Sequence, residues 1–475
     1  MNDFLTRMLA VAIVVLASGC ATLVPRDSVT RADAAIPAHW PLPASTVAAG
    51  EEASGSALPD IGWHDFFTDP RLRELIGLAL ENNRDLRVAV LNVERARAQH
   101  RIQRADRFPN LGVNAQMTRV GADNPLLEQK DFSVGLGVTA FELDLFGRVR
   151  NLSQAALQQY LASEESQRSA QLALVAEIAY AWLTLAADRE QLRIAQATLG
   201  TYEESLELNR ARRELGAVSQ LVLEQTRTQV ASARTDVARL SGQVQRDLNG
   251  LNLLAGVTLE PRLLPDGMVD EVTVSGQLPA GLPAEVLLRR PDIIAAEHRL
   301  LGADANIGAA RAAFFPSIRL TGSIGSASNE LSGLFESGTS IWTFMPQINL
   351  PIFQGGRLRA ALGMAKADRG IALAQYEKAI QSGFREVADA LALTETLREQ
   401  QEASRALLDA ATNAERLAQA RYDAGLDSNL LRLDAQRTLY AAQQQVVAVE
   451  MAEQANRVTL YKVLGGGWNS SPDQP

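Results

Sequence analysis

Apolar positions along this chain follow two periods in alternation, one helical and one of strands. The longest helical stretch is Arg148 to Arg213, with no proline and a single glycine, Gly200. Its second half carries a seven-residue apolar repeat of Ile178, Leu185, Leu192, Leu199 and Leu206. Three residues after the first four come Ala181, Asp188, Ala195 and Tyr202. This spacing makes a seam that a neighbouring helix covers. At about 1.5 Å per residue the helix would be roughly 100 Å long, which predicts an extended fold. Asp188 is the one charge in the seam. It reads either as a partly solvated break in packing or as a polar contact that fixes register or holds a switch.

The rest of the chain supplies a helix–hairpin–helix plan, used twice. Leu72 to Arg107 is predicted as one helix, with Leu75, Leu78, Leu86 and Val90 among its apolar positions, stopping at Phe108-Pro109. The period then changes to 2: Leu111, Val113, Ala115 and Met117, then, after a loop from Gly121 to Lys130, Phe132, Val134, Leu136, Val138 and Ala140. Runs of about ten residues match tilted transmembrane strands. After the long helix comes a turn at Gly216, and a helix from about Ser219 to Leu254. A Pro/Gly-rich connector spans Gly256 to Pro283. Pro291-Asp292 opens the second copy, and Phe315-Pro316 matches Phe108-Pro109 at an offset of 207 (315 − 108). Strands follow on Ile318, Leu320, Gly322, Ile324 and on Trp342, Phe344, Pro346, Ile348, Leu350. A second long helix runs from about Arg357 to Tyr422, a turn at Gly425 matches Gly216 at an offset of 209 (425 − 216), and a last helix runs from about Ser428 to Leu464. Tyr376 set against Tyr160 gives an offset of 216 (376 − 160), which predicts a heptad-sized insertion in the second long helix.

Four short strands cannot close a barrel, and open strand edges are not tolerated in lipid. Copies must therefore complete it, with eight strands from two chains or twelve from three. A water-soluble sheet is the alternative. Trp342 and Phe344 on one face, with no charge among the outward residues, favour lipid. On the last helix Leu430, Asp434, Arg437 and Ala441 share one side, and Leu433, Tyr440 and Val447 the other. Asp434 would recur once per copy as a ring of carboxylates at a constriction. It equally fits an i, i+3 surface ion pair with Arg437.

Composition narrows the class. The 475 residues are 47% apolar and 21% charged with net charge −9, so a large ordered protein is expected. No basic run or aromatic-basic motif points to nucleic acid. His39, His64, His100 and His298 lack ligand spacing, and no GxSxG, P-loop or Rossmann fingerprint occurs, so no enzyme, cofactor or metal site is expected. The only cysteine, Cys20, ends a leader of Arg7, an apolar run Met8 to Ala17, and Ser18-Gly19. Leu16-Ala17-Ser18-Gly19-Cys20 resembles a bacterial lipobox, with Ala17 where leucine is commonest, so residues 1–19 read as a lipoprotein signal and Cys20 as the lipidated N-terminus. The predicted divisions are then a lipidated tether (20–62), a first repeat (63–260), a connector (261–283), a second repeat (284–464) and a tail (465–475).

Several stretches resemble the outer membrane factor (TolC) family, within it the OprM-type lipoprotein channels of resistance-nodulation-division (RND) multidrug efflux pumps. They are Ile61-Gly62-Trp63, Asp65-Phe66-Phe67, Asp69-Pro70, Glu81-Asn82-Asn83-Arg84-Asp85-Leu86-Arg87, Phe141 to Arg148, Arg289-Arg290-Pro291-Asp292, Ile307 to Pro316, and Leu464 to Asn469. The resemblance implies a mixed α/β membrane protein: a homotrimer with a twelve-stranded transmembrane β-barrel, four strands per chain, continued by a long α-helical periplasmic barrel. It implies a lipid-anchored channel in the outer membrane, in contact with its lipid, that exports drugs and other small molecules passively. A periplasmic membrane-fusion adaptor and an inner-membrane RND transporter are the implied partners. It places the periplasmic constriction at Leu430, Asp434 and Arg437, the closing contacts at Asp188, Arg421 and Tyr422, and adaptor docking at the turns around Gly216 and Gly425. Related channels serve metal-ion efflux or type I protein secretion, and those alternatives stay open.

Overall fold

The computed structural model describes residues 23–25, 61–121, 123–124, 129–268, 271–274 and 284–466. Cys20, the signal, most of the tether and the end of the tail lie outside these. The described chain runs α1 (Trp63–Phe66), α2 (Pro70–Asn82), α3 (Arg84–Ala105), β1 (Leu111–Val120), β2 (Gln129–Leu143), α4 (Arg148–Glu214) and α5 (Gln220–Ala255). The second half runs α6 (Pro291–Ala312), β3 (Ser317–Ser328), β4 (Ser340–Asn349), α7 (Arg357–Asp423) and α8 (Asn429–Val463). Short 3₁₀ turns cover Pro261–Leu263 and Ala284–Arg289 in and after the connector.

The chain divides into two packed units, and each draws on both halves of the sequence. The first comprises Met1–Ala35, Val90–Ser166 and Asp292–Ala379; the second comprises Ile36–Ala89, Gln167–Pro291 and Ile380–Pro475.

The first unit holds the sheet, whose strands pair antiparallel in the order β1-β2-β3-β4. The period-2 reading of the strands becomes visible in the register. Val113 pairs with Leu136, Leu136 with Ile324, and Ile324 with Trp342, so one apolar row crosses all four strands. Their exposures are 71%, 43%, 62% and 75%, so nothing among the described residues covers the row. Leu111, Val138, Gly322 and Phe344 form the adjacent row on the same face. The opposite face carries Gly112, Gly137, Ser323 and Thr343, then Asn114, Gly135, Gly325 and Ile341. One side of the sheet is therefore apolar and bare, the other mostly small and polar. A bulge follows Val138, where Ala140 takes φ 51° and donates its N–H to Thr321 Oγ1 at 3.1 Å. Pro346 sits on β4, an edge strand, where a missing N–H is tolerated. Phe146 and Phe315, one from each repeat, stack at 4.7 Å where strands meet helices.

In the second unit the aromatic-acidic segment packs as a plug. Phe66 stacks on Tyr461 at 4.1 Å, with Phe67 edge-on to both. Trp182 is fully buried and donates its indole N–H to Leu263 O. Arg290 ties the end of α8 to α7, donating to Val463 O at 3.0 Å and to Glu386 at 2.9 Å. Ile178, Leu185 and Leu206 of the predicted seam are buried in α4.

Two sequence expectations need correction. Residues 72–107 form two helices, not one. Asn83 stops the first and starts the second: its N–H bonds Ala79 O at 2.8 Å, and its Oδ1 accepts from Leu86 N at 2.8 Å. Its Nδ2 meanwhile donates to Leu254 O on α5 at 2.8 Å. The break is thus locked onto the C-terminus of α5, where Gly256 has φ 72° and a Cβ would lie 2.4 Å from Asn82 O. There is also no inserted heptad. Both long helices have 67 residues, and both their starts (357 − 148) and their ends (423 − 214) differ by 209. Tyr160 is therefore level with Arg369, and the tyrosine match was accidental.

Replacing Asn83 by alanine removes a helix cap and leaves Leu254 O unpaired, so it should cost about 2 kcal/mol or more. Chemical denaturation of the detergent-solubilised protein reads this; a loss below about 0.5 kcal/mol would show that the junction is incidental.

Candidate gate at the helix turns

Each long helix ends in the same motif. Gly216 has φ 73° and Gly425 φ 72°, the left-handed region that L side chains avoid. Gly216 N bonds Arg213 O while Ala217 N reaches back to Arg212 O; Gly425 N bonds Tyr422 O while Leu426 N reaches back to Arg421 O. These paired bonds satisfy the last carbonyls of α4 and α7 and turn the chain into α5 and α8. Arg421 bridges its turn with a 2.7 Å contact to Asp427, which holds the Asp427 carboxyl below the usual carboxylate range. Apolar side chains stand bare at both turns: Leu215 (84% exposed) and Leu221 at the first, Leu426 and Leu430 at the second.

Above the second turn, α8 is two-sided as its sequence predicts. Leu430, Asp434, Arg437 and Ala441 are exposed, whereas Leu433 and Val447 are buried and Tyr440 half-buried. Arg437 donates to Asp434 at 2.5 Å. Asp434 and Arg437 thus form the i, i+3 pair within this chain, on a face open to whatever lies beyond it.

Sequence reasoning missed the polar residues on the buried side of α8. Asn429, Arg432 and Gln436 are all buried there. The Arg432 guanidinium lies 4.7 Å above the Tyr422 ring and donates to Asn429 Oδ1 at 2.9 Å. It also reaches Ser205 Oγ on α4 and Gln419 Oε1 on α7, each at 3.5 Å. Burial pulls Arg432 below the ordinary guanidinium range. One cation, held by a ring and neutral oxygens, therefore joins three helices beside the turn. Between α4 and α5 a buried Asn209 donates to Thr226 Oγ1 at 2.9 Å, a second polar tie. The signal available was a lone arginine between Leu431 and Leu433, which reads as solvent-facing by default.

Asp188 does not meet Tyr422. Tyr422 is under Arg432, which is level with Ser205, and Asp188 lies 17 residues (205 − 188) earlier on α4. At 1.5 Å per residue that is about 25 Å along the helix. Asp188 instead faces Asp247 of α5. Burial first, and then this second carboxylate, push Asp188 up to about 6, against the opposing pull of Arg239 and Arg246. Asp247 Oδ1 accepts from Gln243 at 2.8 Å, while its buried Oδ2 has no partner of its own. A proton kept on Asp188 supplies that missing donor. Of the residues expected at the gate, Leu430, Asp434 and Arg437 are brought together, Arg421 and Tyr422 flank the turn, and Asp188 stands apart.

The model of the "Outer membrane efflux protein" family matches the chain twice, at residues 75–257 and 282–466. This chain belongs to the outer membrane efflux protein family. The two matches are the two repeats read in its sequence. It is 47% identical to the toluene efflux pump outer membrane protein TtgF of Pseudomonas putida, over 99% of this chain and 98% of that one. A membrane protein from Pseudomonas aeruginosa has a similar solved structure, with a TM-score of 0.86 and 41% identity over 95% of this chain and 99% of that one. The open state of the Neisseria gonorrhoeae MtrE outer membrane channel gives a TM-score of 0.85 and 40% identity, covering 94% and 98%. This efflux protein is thus an outer-membrane transport component.

The Asp188–Asp247 pair gives a signed prediction. The folded-state value of Asp188 is raised above its unfolded value of 3.8 to about 6, so folding favours its protonated form. The penalty is absent below pH 3.8, grows as pH rises, and is complete above about 6. The efflux protein should therefore lose stability between pH 4 and 7 from this site, and Asp188→Asn should flatten that slope and raise the unfolding midpoint at pH 7. A variant whose pH profile parallels the parent's would remove the shared proton from the account.

Proposed function

We propose that three copies of this chain close a twelve-stranded outer-membrane barrel that continues as a helical periplasmic tunnel, and that this tunnel is the passive exit duct of a tripartite RND-type pump. The observation that carries the reading is the bare apolar row of Val113, Leu136, Ile324 and Trp342 on a sheet whose outer strands, β1 and β4, have no further partner among the described residues. In hydrocarbon the row is stable, and the two edges must pair with copies. Three copies of four strands give twelve. The apolar rows then face lipid and the Gly/Ser/Thr/Asn face lines a wet lumen. Cys20, lipidated after removal of residues 1–19, anchors each copy.

The gate lies where α8 turns inward with Leu430, Asp434 and Arg437. Asp434 recurs once per copy as a carboxylate ring, which favours cations. Arg437 on the same helix tempers that field, since it already pairs with Asp434. Opening loosens α8 from α4 and α7, and so must disturb Arg432 on Tyr422 and Ser205 as well as the Arg421–Asp427 bridge. The bare leucines around Gly216 and Gly425 offer a periplasmic adaptor its docking surface. The inner-membrane transporter supplies energy. The cargo class is drugs and other small molecules, in keeping with a toluene-exporting relative. Metal-ion efflux or protein secretion is the competing reading, and susceptibility profiling of a deletion strain separates them: sensitivity to metals alone would contradict drug export.

Planar-bilayer recording tests the gate. Asp434→Asn should weaken cation selectivity, and Arg432→Gln should raise conductance by loosening α8. Parental selectivity and conductance in both variants would reject this constriction.

A further inference from the structure

In the first unit, the end of α3 and the start of α4 line a half-open cavity of about 440 Å³ with His100, Arg104, Arg107, Arg150, Ser153, Gln154 and Leu157. Three arginines line it, all exposed, and none pairs with a carboxylate among the described residues. Arg148, two residues before Arg150, is by contrast held by Glu142 at 2.8 Å, and Arg369 by Asp304 at 2.6 Å. The nearest cap is already spent, since Asp144 Oδ2 accepts the backbone N–H of Arg150. His100 is fixed by stacking on Tyr160, whose hydroxyl is bonded to Glu164. Asp106 and Asp144 lie nearby without forming an ion pair to any of the three, so positive charge stays in excess, and an anion taken between the arginines would relieve the repulsion. Guanidinium forks match the oxygen geometry of phosphate, and can bind it two-pronged.

The place of the cavity says which phosphate. Arg107 is four residues (111 − 107) before β1, and Arg150 seven (150 − 143) after β2, so the cavity adjoins the helical end of the sheet. Its side of the wall is that of the tether. Between α4 and α6, Arg299 donates to Ser166 on one side. On the other side Val24 and Asn151 crowd Gly308, where an added Cβ would meet them at 3.0 and 2.6 Å. Arg150 and Gln154 lie within about a third of a turn of Asn151, on the side away from Ser166. Leu23 O accepts from Arg311 at 2.8 Å at the same level. Leu23 is three residues (23 − 20) from Cys20, so an anchored acyl chain would enter the membrane within about 10 Å of it.

We infer that this arginine cavity binds the phosphate of an anionic phospholipid in the leaflet that holds the anchor. The inference rests on the reading of the sheet as membrane-spanning. The bound headgroup would fix the height of the barrel in the membrane, beside the lipid that tethers it.

Native mass spectrometry of the full-length protein in nonionic detergent tests the site, titrated separately with phosphatidylglycerol, with diacylglycerol of the same chains, and with inorganic phosphate. The triple variant Arg104→Gln/Arg107→Gln/Arg150→Gln should lose about tenfold or more in phosphatidylglycerol affinity, while Arg119→Gln, an exposed strand arginine, should not. Diacylglycerol should bind parent and triple variant alike, and more weakly than phosphatidylglycerol binds the parent. Unchanged phosphatidylglycerol binding by the triple variant overturns the site. Inorganic phosphate that displaces the lipid at equal concentration overturns the lipid assignment. Conductance recorded on the same samples keeps the two readings apart. A conducting protein indifferent to the triple substitution loses only this site, whereas a non-conducting one loses the channel and the leaflet placement with it.

Discussion

An unpaired strand edge is the constraint on which the remaining features depend. Each backbone N–H and C=O left without a partner in hydrocarbon costs several kcal/mol. The described residues make four strands, with β1 and β4 outermost. Its apolar row is exposed across the whole sheet, so the sheet is fit for lipid on one face and for water on the other. Incomplete closure then ceases to be a defect. In the proposed assembly it is what makes a single chain depend on its copies.

The helices meet a different demand. A tunnel that opens needs seams that hold firmly and yet separate in a defined place. The seam of α4 is apolar at Ile178 and Leu185 and again at Leu206, and polar groups interrupt it at the half-buried Asp188 and the buried Asn209. Beside the turn at Gly425, α4, α7 and α8 are joined through one buried cation, Arg432, which Asp423 and Glu415 act on electrostatically but which forms no ion pair among the described residues. Such a contact is weaker than packed leucines and more directional. It suits a join that must release, and the exposed pair Asp434–Arg437 lies on the next turn of the same helix.

Much of this was legible because two periods suffice to assign faces. Alternation named the outward strand residues, and the register then set them in rows. Glycines marked both turns, since only a left-handed backbone closes them. What stayed hidden depends on partners remote in sequence. Asn83 looks like an ordinary helical position until Leu254 O is seen to claim its side chain. A heptad shows that Asp188 points at a neighbour, not which one, and only the height of Ser205 against Arg432 separates it from Tyr422. Arg432 was passed over because charge between leucines usually means solvent. A single tyrosine match suggested an insertion that equal helix lengths exclude.

The most direct measurement is the environment of the sheet faces in a membrane. A nitroxide placed singly at Val113, Leu136, Ile324 or Trp342 should be relaxed by dissolved oxygen and shielded from a water-soluble nickel reagent, while labels at Asn114 and Gln116 should show the reverse. Nickel access along the Val113–Trp342 row, equal to that at Asn114, would place the sheet in water and contradict the account.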